Sequence, residues 1–386
     1  MRTTPSDLVL DQAVYAARVA ALADHDLALC SSADAEWLTG VPRIASWSEY
    51  DPALSEAITI GLVGARGVIF SVMHSLWHLE AGAAMRRWEL LDYRAGGDPL
   101  AHLRRVAEAA GWRADRPVHV PGSMPARQLE LLRDAFPERR FTLADDVLGP
   151  LRARKDEHEI AIMRDVAQRT ATGIRAACAD LRPGVRYREF LARVRAGILA
   201  TGVDDVPYGP DAWATGPGLQ IQWANAGNRR EDPVLAAPLA LSLDVGASLR
   251  RYRSDVGRPV WFGEPSFASA EALDAIRSAR LAGLPFLRAG CRAHEVDDAT
   301  RACIAGLGFA AGQWIPSGHG VGLEFHDPPV LGERDETPLA DGNVVTYELA
   351  IWEEGRASAF AEDTVVIRDG DPDWLVDDGA DPIIVA

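Results

Sequence analysis

The chain has 386 residues, of which 48% are hydrophobic, and a formal net charge of -16 at pH 7. Length alone predicts about two or three domains, each able to bury a substantial core. The negative charge argues against nucleic acid or an anionic membrane as partner, because both need a positively charged protein surface.

The amino-terminal third predicts an α/β domain. Its first segment, MRTTPSDLVLDQAVYAARV, lacks the apolar core of a signal peptide, and no run of about 18 apolar residues suggests a membrane span. Strand-like runs such as AITIGLVG and PVHVPG alternate with amphipathic segments such as PLAHLRRVAEAAGW. SMPARQLELLRDAF adds a helix for which Ser123 is the expected cap. A charged segment around Gly149 and Pro150 predicts a boundary between domains 1–150 and 151–386.

The four cysteines, at positions 30, 178, 291 and 303, show no short paired spacing. Scattered thiols in a long chain without a signal peptide are typical of reduced residues in a core. We therefore expect a cytoplasmic protein.

The second part of the chain contains an internal repeat. LRPGVRYREF, starting at Leu181, returns as LRAGCRAHEV, starting at Leu287, with five identical residues at a constant offset of 106. Helical apolar spacing surrounds each copy, so each half is predicted to contain two helices that lead into strands. The repeat predicts a pseudo-twofold domain.

Carboxylates lie inside segments that otherwise have the composition of buried strands. Asp244 ends LALSLD, Glu348 lies in VVTYELAIW, and Glu362 lies in SAFAEDTVVI. Adding the repeat offset to Asp244 and Asp255 gives positions within two residues of Glu348 and within one of Glu362. A buried carboxylate without a partner is costly, so such groups persist when they are paired or bound to metal. Each half is thus predicted to contribute one carboxylate pair to a shared centre.

His319, in the glycine-rich segment SGHGVG, completes a set of five candidate ligands. Any one acid could instead be a strand-face residue or pair with an arginine, and four arginines flank Asp255, namely Arg250, Arg251, Arg253 and Arg258. Four carboxylates with one imidazole suit two divalent ions such as Mn, Co or Zn. Two such ions can bind one water and one substrate oxygen together.

At these positions the sequence resembles the pita-bread metallopeptidases, which include aminopeptidase P, prolidase and the metal-free creatinase. The resemblance is carried by LDVGASLRRYRSDVGRPV, SGHGVGLEFHDPP, VVTYELAIW and FAEDTVVI. It extends upstream to RARKDEHEIAIMRDVA and ALCSSADAEWLTGVP, and covers most of the chain. It implies a creatinase-like amino-terminal domain, an α+β pita-bread catalytic domain, a homodimer, and hydrolysis of Xaa-Pro dipeptides or of the amino-terminal bond of short peptides.

The resemblance also implies a role for each residue. Asp244 would bind one metal, Asp255 and Glu362 would bridge both, and His319 with Glu348 would complete the second. The ions would activate a water for attack on a carbonyl. Glu348 would carry protons, and His326, in FHDPP, would stabilise the oxyanion. Among Mn, Co and Zn, we expect manganese.

Two departures from the family pattern concern the walls that hold the substrate. Residues 211–243 contain no histidine where peptidase members usually place a substrate-contacting one, and Phe360 stands where members often carry arginine. These departures leave open hydrolysis of a non-peptide amide or amidine-like metabolite, and a metal-dependent lyase reaction. A peptide-binding or partner-binding scaffold is the non-enzymatic alternative, and it predicts missing ligands.

Lys155 is the only lysine in the chain. A phosphate-binding GxxxxGK[ST] loop is therefore absent, and a pyridoxal Schiff base would have to use a residue at the start of a helix. The sequence therefore argues against both of these classes of enzyme.

Overall fold

The computed structural model describes residues 12–30, 33–40, 60–72, 88–90, 97–216, 219–221, 232–310, 312–376 and 378–386. The contacts divide the chain into two compact units, Met1–Arg152 and Ala153–Ala386. The division lies two residues beyond the predicted boundary. Gly149 and Pro150, which we expected between the domains, instead lie inside the helix Asp145–Ala153, so this helix belongs to the first unit almost to its end.

The first unit contains a six-stranded mixed sheet in the order β4-β3-β2-β1-β5-β6. The central pair β1 and β2 is antiparallel, whereas β1, β5 and β6 run parallel. The helices are α1 (Gln12–Ala21), α2 (Ala33–Thr39), α3 (Pro99–Ala110), α4 (Ala126–Ala135) and α5 (Asp145–Ala153). The strands are β1 (Asp26–Leu29), β2 (Ile60–Gly64), β3 (Gly67–Val72), β4 (Trp88–Leu90), β5 (Val118–Val120) and β6 (Phe141–Leu143).

Local sequence explains the ends of α3 more fully than those of α4. Asp98 caps α3 through a hydrogen bond from the Leu100 amide, and the helix stops at Gly111 in the left-handed conformation. The prediction that Ser123 caps α4 is wrong. The N-cap residue is Pro125, and no side chain accepts a hydrogen bond there, because the proline side chain has no polar atom.

The second unit contains the two predicted helix pairs. Its helices are α6 (Glu157–Ala179), α7 (Tyr187–Ala200), α8 (Phe267–Gly283) and α9 (Ala293–Gly306). Both ends of α9 lie 106 residues after the corresponding ends of α7, which is the offset of the sequence repeat. α6 is the longest helix, yet no helix in the described part of the chain is long and apolar enough to cross a bilayer.

The strands of the second unit form a sheet in the order β15-β14-β16-β17-β13-β11-β8-β9, with β12, β18 and β19 at its sides. Its longer strands are β8 (Asp205–Gly216), β11 (Leu239–Leu249), β13 (Val256–Phe262), β16 (Val344–Glu353) and β17 (Ala357–Val366). The shorter ones are β7 (Val185–Arg186), β9 (Leu219–Ile221), β10 (Val234–Leu235), β12 (Tyr252–Arg253), β14 (His319–Gly320), β15 (Asp327–Val330), β18 (Asp373–Trp374) and β19 (Ile383–Val385), of which β7 and β10 pair separately.

One face of this sheet packs on helices. Odd-numbered residues of β11, such as Leu243 and Val245, join the apolar core formed with α6 and α7. Odd-numbered residues of β16 and β17, such as Leu349 and Ala361, join a second core with α8 and α9. Because successive side chains of a strand point to opposite faces, even-numbered residues such as Asp244, Glu348 and Glu362 lie on the face away from these helices. We call that opposite surface the inner face.

The cysteines are free. Cys30 and Cys178 are buried, and Cys291 and Cys303 are half-buried. Burial raises the pKa of the Cys178 thiol to about 12. Two of the four are therefore buried, as expected, whereas Cys303 packs against the second core from its edge and Cys291 is half-buried.

Candidate metal centre

Four carboxylates occupy one transverse row across the inner face. Along the row, Asp211 on β8 pairs with Asp244 on β11, and Asp244 pairs with Gly257 on β13. Gly257 pairs with Glu362 on β17, which pairs with Glu348 on β16. Residues far apart in sequence thus become neighbours through strand pairing alone.

Asp255 and His319 close the site beside this row. Ligand atoms of Asp255, His319 and Glu362 all lie within 4.8 Å of one another. The His319 Nε2 atom is 3.3 Å from Oε1 of Glu348. The Asp255 carbonyl accepts a hydrogen bond from Thr364 Oγ1 at 3.0 Å, which ties the start of β13 to β17. The structure therefore brings all five predicted ligands to one region.

Burial perturbs the protonation of these groups. Desolvation raises the pKa of Asp244 to about 7 and that of Glu348 to about 8. It also raises the pKa values of Asp255 and Glu362 well above normal, and repulsion from neighbouring carboxylates adds to the effect. A group of acids held this close keeps its protons unless a positive charge takes their place.

Oxygen atoms in the site have spare capacity for a cation. Asp244 Oδ1, Asp255 Oδ1 and Glu362 Oε2 are buried and have no hydrogen-bond partner within the described residues. Buried carboxylate oxygens are usually paired or bound to metal. The donor set therefore fits divalent ions.

His319 is oriented to offer one nitrogen. Its Nδ1 atom lies 3.0 Å from the Gly320 carbonyl oxygen, which can only accept a hydrogen bond, so Nδ1 carries the proton. Desolvation lowers the pKa of His319 to about 4. The Nε2 lone pair is then free at neutral pH, which is the state that binds metal.

His326 lies at the open side of the same site. Its ring centroid is 4.1 Å from that of His319, and its side chain is exposed, whereas His319 is buried. The exposed imidazole of His326 can therefore contact a substrate bound beside His319.

Sequence reasoning missed two residues on the neighbouring strand β8. Tyr208 donates a hydrogen bond from its hydroxyl to Asp244 Oδ2 at 2.8 Å, and Asp211 lies across from Asp244 in the transverse row. Both precede Asp244 by more than thirty positions, and only the pairing of β8 with β11 brings them close. The sequence signal that could have identified this strand is Asp211, the one charged residue in DAWATG.

A network of buried ion pairs lies directly behind Glu362. Asp363 is fully buried and forms ion pairs with Arg258 at 2.7 Å and with Arg280 at 2.6 Å. Arg258 also donates to the Glu362 carbonyl. Of the arginines expected as possible partners of Asp255, Arg258 pairs with Asp363 and Asp378, and Arg253 pairs with Glu324.

Comparison with known proteins now gives the family. The sequence profile of metallopeptidase family M24 matches residues 161–369, more than half of the chain. This chain belongs to metallopeptidase family M24. It is therefore a metallopeptidase, and the predicted enzyme class is confirmed.

Two curated relatives support the M24 assignment. A Xaa-Pro dipeptidase of Pyrococcus horikoshii is 28% identical over 248 residues, which cover 64% of this chain and 69% of that protein. A probable dipeptidase PepE of Mycobacterium bovis is 28% identical over 317 residues, 81% of each chain.

Solved structures support the predicted fold of the M24 chain. Dipeptidase PepE from Mycobacterium ulcerans matches with a TM-score of 0.80 and 26% identity, covering 98% of this chain and 99% of that one. A prolidase from Thermococcus sibiricus matches with a TM-score of 0.83 and 20% identity, covering 97% and 99%. The predicted fold class, an α/β domain followed by a pita-bread domain, is confirmed.

This M24 chain has an aromatic wall beside its acidic row. Trp213, Ala350 and Phe360 form a buried cluster, with Ile315 and Trp352 packed against it. The rings of Trp213 and Phe360 are 5.0 Å apart. A Cβ atom on Gly257 would lie 2.0 Å from Phe360 Cε1, so the phenyl ring fills the space above the glycine in the middle of the row. Phe360 therefore places an apolar surface directly against the carboxylates.

The other departure, the absence of a histidine from residues 211–243, lies partly outside the described residues. Residues 217–218 and 222–231, which include Trp223, belong to that part of the chain. Trp213, two residues beyond Asp211 on β8, is a core residue.

Proposed function

We propose that this M24 protein hydrolyses Xaa-Pro dipeptides or the amino-terminal bond of short peptides with two divalent metal ions. The observation that carries the proposal is the convergence of Asp255, His319 and Glu362 within 4.8 Å beside the row that contains Asp244 and Glu348. The names of relatives support it, since those matched are a Xaa-Pro dipeptidase and dipeptidases PepE.

The ligands divide by position. Asp244 would hold one ion, His319 and Glu348 would hold the other, and Asp255 with Glu362 would contact both. The free oxygens of Asp255 and Glu362 support the bridging role. When bound, two such ions lower the pKa of a water and polarise a carbonyl.

Glu348 would transfer protons, and His326 would stabilise negative charge that develops on the substrate. The carboxylate of Glu348, 3.3 Å from His319 Nε2, can accept a proton from the attacking water and return it to the leaving amine. His326, exposed beside His319, can donate a hydrogen bond to the developing oxyanion. The aromatic wall and the buried strands exclude water from the inner side of the site.

The test is an assay of metal-reconstituted protein against Xaa-Pro dipeptides. We expect release of proline that disappears on chelation and returns with added Mn, Co or Zn. A protein that binds metal but leaves every dipeptide and short peptide intact would contradict the proposal.

The aromatic wall favours a second candidate, hydrolysis of an amide with an uncharged group. Phe360 and Trp213 offer an apolar surface where many members of the family carry a cation, so a substrate carboxylate gains nothing there. A matched pair decides between the candidates. Faster cleavage of a Xaa-Pro amide than of the corresponding free dipeptide favours the second candidate, and the reverse favours the first.

Manganese as the ion, a homodimer as the assembly and a cytoplasmic location stay predictions drawn from composition and family resemblance. Metal selectivity is tested by activity after reconstitution with each ion in turn. The mass of the protein in solution tests the dimer.

A further inference from the structure

Lys155 is the one lysine among the 40 basic residues of this chain, and it is buried. It lies between α5 and α6, where its backbone amide donates to the Gly342 carbonyl at 2.8 Å. The next residue, Asp156, caps α6 in a reciprocal capping box with Glu159. The backbone at Lys155 is therefore fixed from both sides, and its side chain has a defined starting point.

The Lys155 side chain ends at a buried carboxylate. Its Nζ atom lies 3.8 Å from Asp327 Oδ2, and each side chain is only 2% exposed. The backbone of Gly322 passes over this pair, since a Cβ atom there would lie 2.9 Å from Lys155 Cε and 3.1 Å from Asp327 Oδ2. A slender lysine with a compact ammonium suits this narrow space better than a planar guanidinium.

Asp327 connects the pair to the candidate active site. It follows His326 and begins β15, which pairs with the strand β14 that starts at His319. Burial alternates here, since His326 is exposed and Asp327 is buried. The two residues are consecutive, so anchoring the buried side chain of Asp327 fixes the backbone from which the exposed imidazole of His326 projects.

Separate contacts hold the middle of the loop between the two histidines. Arg253 pairs with Glu324 at 3.4 Å and lies over the ring of Phe325 at 4.5 Å. Its amide also donates to the Gly322 carbonyl. These contacts lie before His326, whereas Lys155 acts on the residue after it.

We propose that Lys155 is a positioning residue, which holds Asp327 and thereby sets the place of the His326 imidazole beside the metal centre. The effect on rate rests on the role proposed above for His326, but the effect on the position of its ring does not. Every contact that the positioning uses is formed by the protein's own residues.

The first test reads the His326 ring directly. Protein labelled with ¹³C in histidine gives ring signals, and His326→Ala assigns the one that belongs to His326. We expect Lys155→Met to shift or broaden that signal in metal-free protein. Arg154→Met, which changes the neighbouring but exposed basic residue, is the matched control and should leave it in place. An unchanged His326 signal in Lys155→Met overturns the proposal, whether or not the peptidase assignment holds.

The second test measures turnover in metal-loaded protein. We expect Lys155→Met to lower kcat by on the order of ten- to a hundredfold, because small misplacement of a reacting group is costly. Metal content should not change. In a His326→Ala background the same substitution should lower kcat by less than about twofold, since Lys155 acts through His326. Equal losses in both backgrounds, or loss of metal, contradict the proposal.

A third variant keeps the tests decisive if Lys155→Met fails to fold. Removing one partner of a buried ion pair leaves an uncompensated charge, whereas replacing both partners by apolar residues does not. The double variant Lys155→Met with Asp327→Leu should therefore fold, but the signal of His326 should still be displaced. A double variant with the wild-type His326 signal would show that the ion pair only stabilises the fold.

Discussion

The two halves of the catalytic unit share a topology but support their ligands differently. In the first half, β11 carries Asp244, and the side-chain support that it receives is a hydrogen bond from Tyr208. In the second half, Glu362 on β17 stands in front of a buried ion-pair network formed by Arg258, Asp363 and Arg280. The repeat thus determines the positions of the proposed ligands in the sheet. Contacts specific to each half determine how rigidly each of these side chains is held.

The ligands of the two halves also differ in length. The first half supplies aspartates and the second supplies glutamates, and Gly257 stands between them in the transverse row. Because Gly257 has no side chain, the Phe360 ring from the second half occupies that space. The second half therefore supplies the longer carboxylate side chains of the row and the Phe360 ring beside Gly257.

The largest expected effect comes from Asp255, the proposed bridging ligand of the first half. Asp255→Asn keeps the volume but weakens a ligand, so we expect loss of about one ion per chain and of most activity, with the fold intact. Asp211→Asn is the control, since Asp211 lies in the same row but is not among the proposed ligands. It should keep full metal content. Elemental analysis and turnover check both, and wild-type turnover in Asp255→Asn would show that the site is misassigned.

The two histidines of the second half should separate metal binding from turnover. Removing an oxyanion donor costs on the order of a hundred- to a thousandfold in kcat, so His326→Ala should show that loss and keep its metal. His319→Ala should lose metal as well. Wild-type turnover in His326→Ala on the true substrate would mean that another group stabilises the transition state.

The ion-pair network predicts a stability difference between two arginines on α8. Arg280→Met removes one arginine partner of buried Asp363, and we expect a loss of about 3 kcal/mol in the free energy of unfolding, near the low end for broken buried pairs because Arg258 remains. Arg277, on the same helix, makes exposed pairs with Asp274 and Asp381. Arg277→Met should cost less than about 1 kcal/mol. Equal melting temperatures for the two variants would contradict the assigned role of the network.

Much of this comparison could be predicted from sequence because the ligands lie in strongly apolar strands and recur at the repeat offset. Asp244, Glu348 and Glu362 were recognisable as acids in buried strands. Tyr208 was not, because its contact depends on the pairing of β8 with β11, which no local pattern specifies. The Lys155 contact with Asp327 spans 172 positions, and no local pattern in the sequence specifies it.

Two local predictions differ from the structure, namely the domain boundary at Gly149 and Pro150 and the capping residue of α4. Gly149 and Pro150 predicted a break between domains, but Pro150 lies inside α5. Burial of Leu148 and Ala153 on this helix provides packing that propensity does not count. A capping residue was expected at Ser123, but Pro125 starts α4 without one.

A smaller effect is expected from pH on the metal-free protein. Asp244 and Glu348 have pKa values raised to about 7 and about 8. The folded state therefore holds protons that the unfolded state has already lost, and stability falls as pH rises through these values. His319, whose pKa is lowered to about 4, acts in the opposite direction only below about pH 6.5.

The measurement is the melting temperature of chelator-treated protein between pH 6.5 and 8. We expect it to fall with pH, and bound metal to remove most of that fall. Glu348→Gln, which cannot ionise, should show a smaller fall without metal. A metal-free melting temperature that rises over this range would contradict the arrangement of buried acids.

Metal stoichiometry tests the central claim most directly, because it asks whether both halves contribute to one centre. Purified protein, stripped and then reconstituted with Mn, is dialysed and its metal counted by elemental analysis. The two carboxylate pairs and His319 predict about two ions per chain, with a higher melting temperature than the stripped protein. A count near zero for Mn, Co and Zn alike, with no thermal shift, would contradict a dinuclear metallopeptidase.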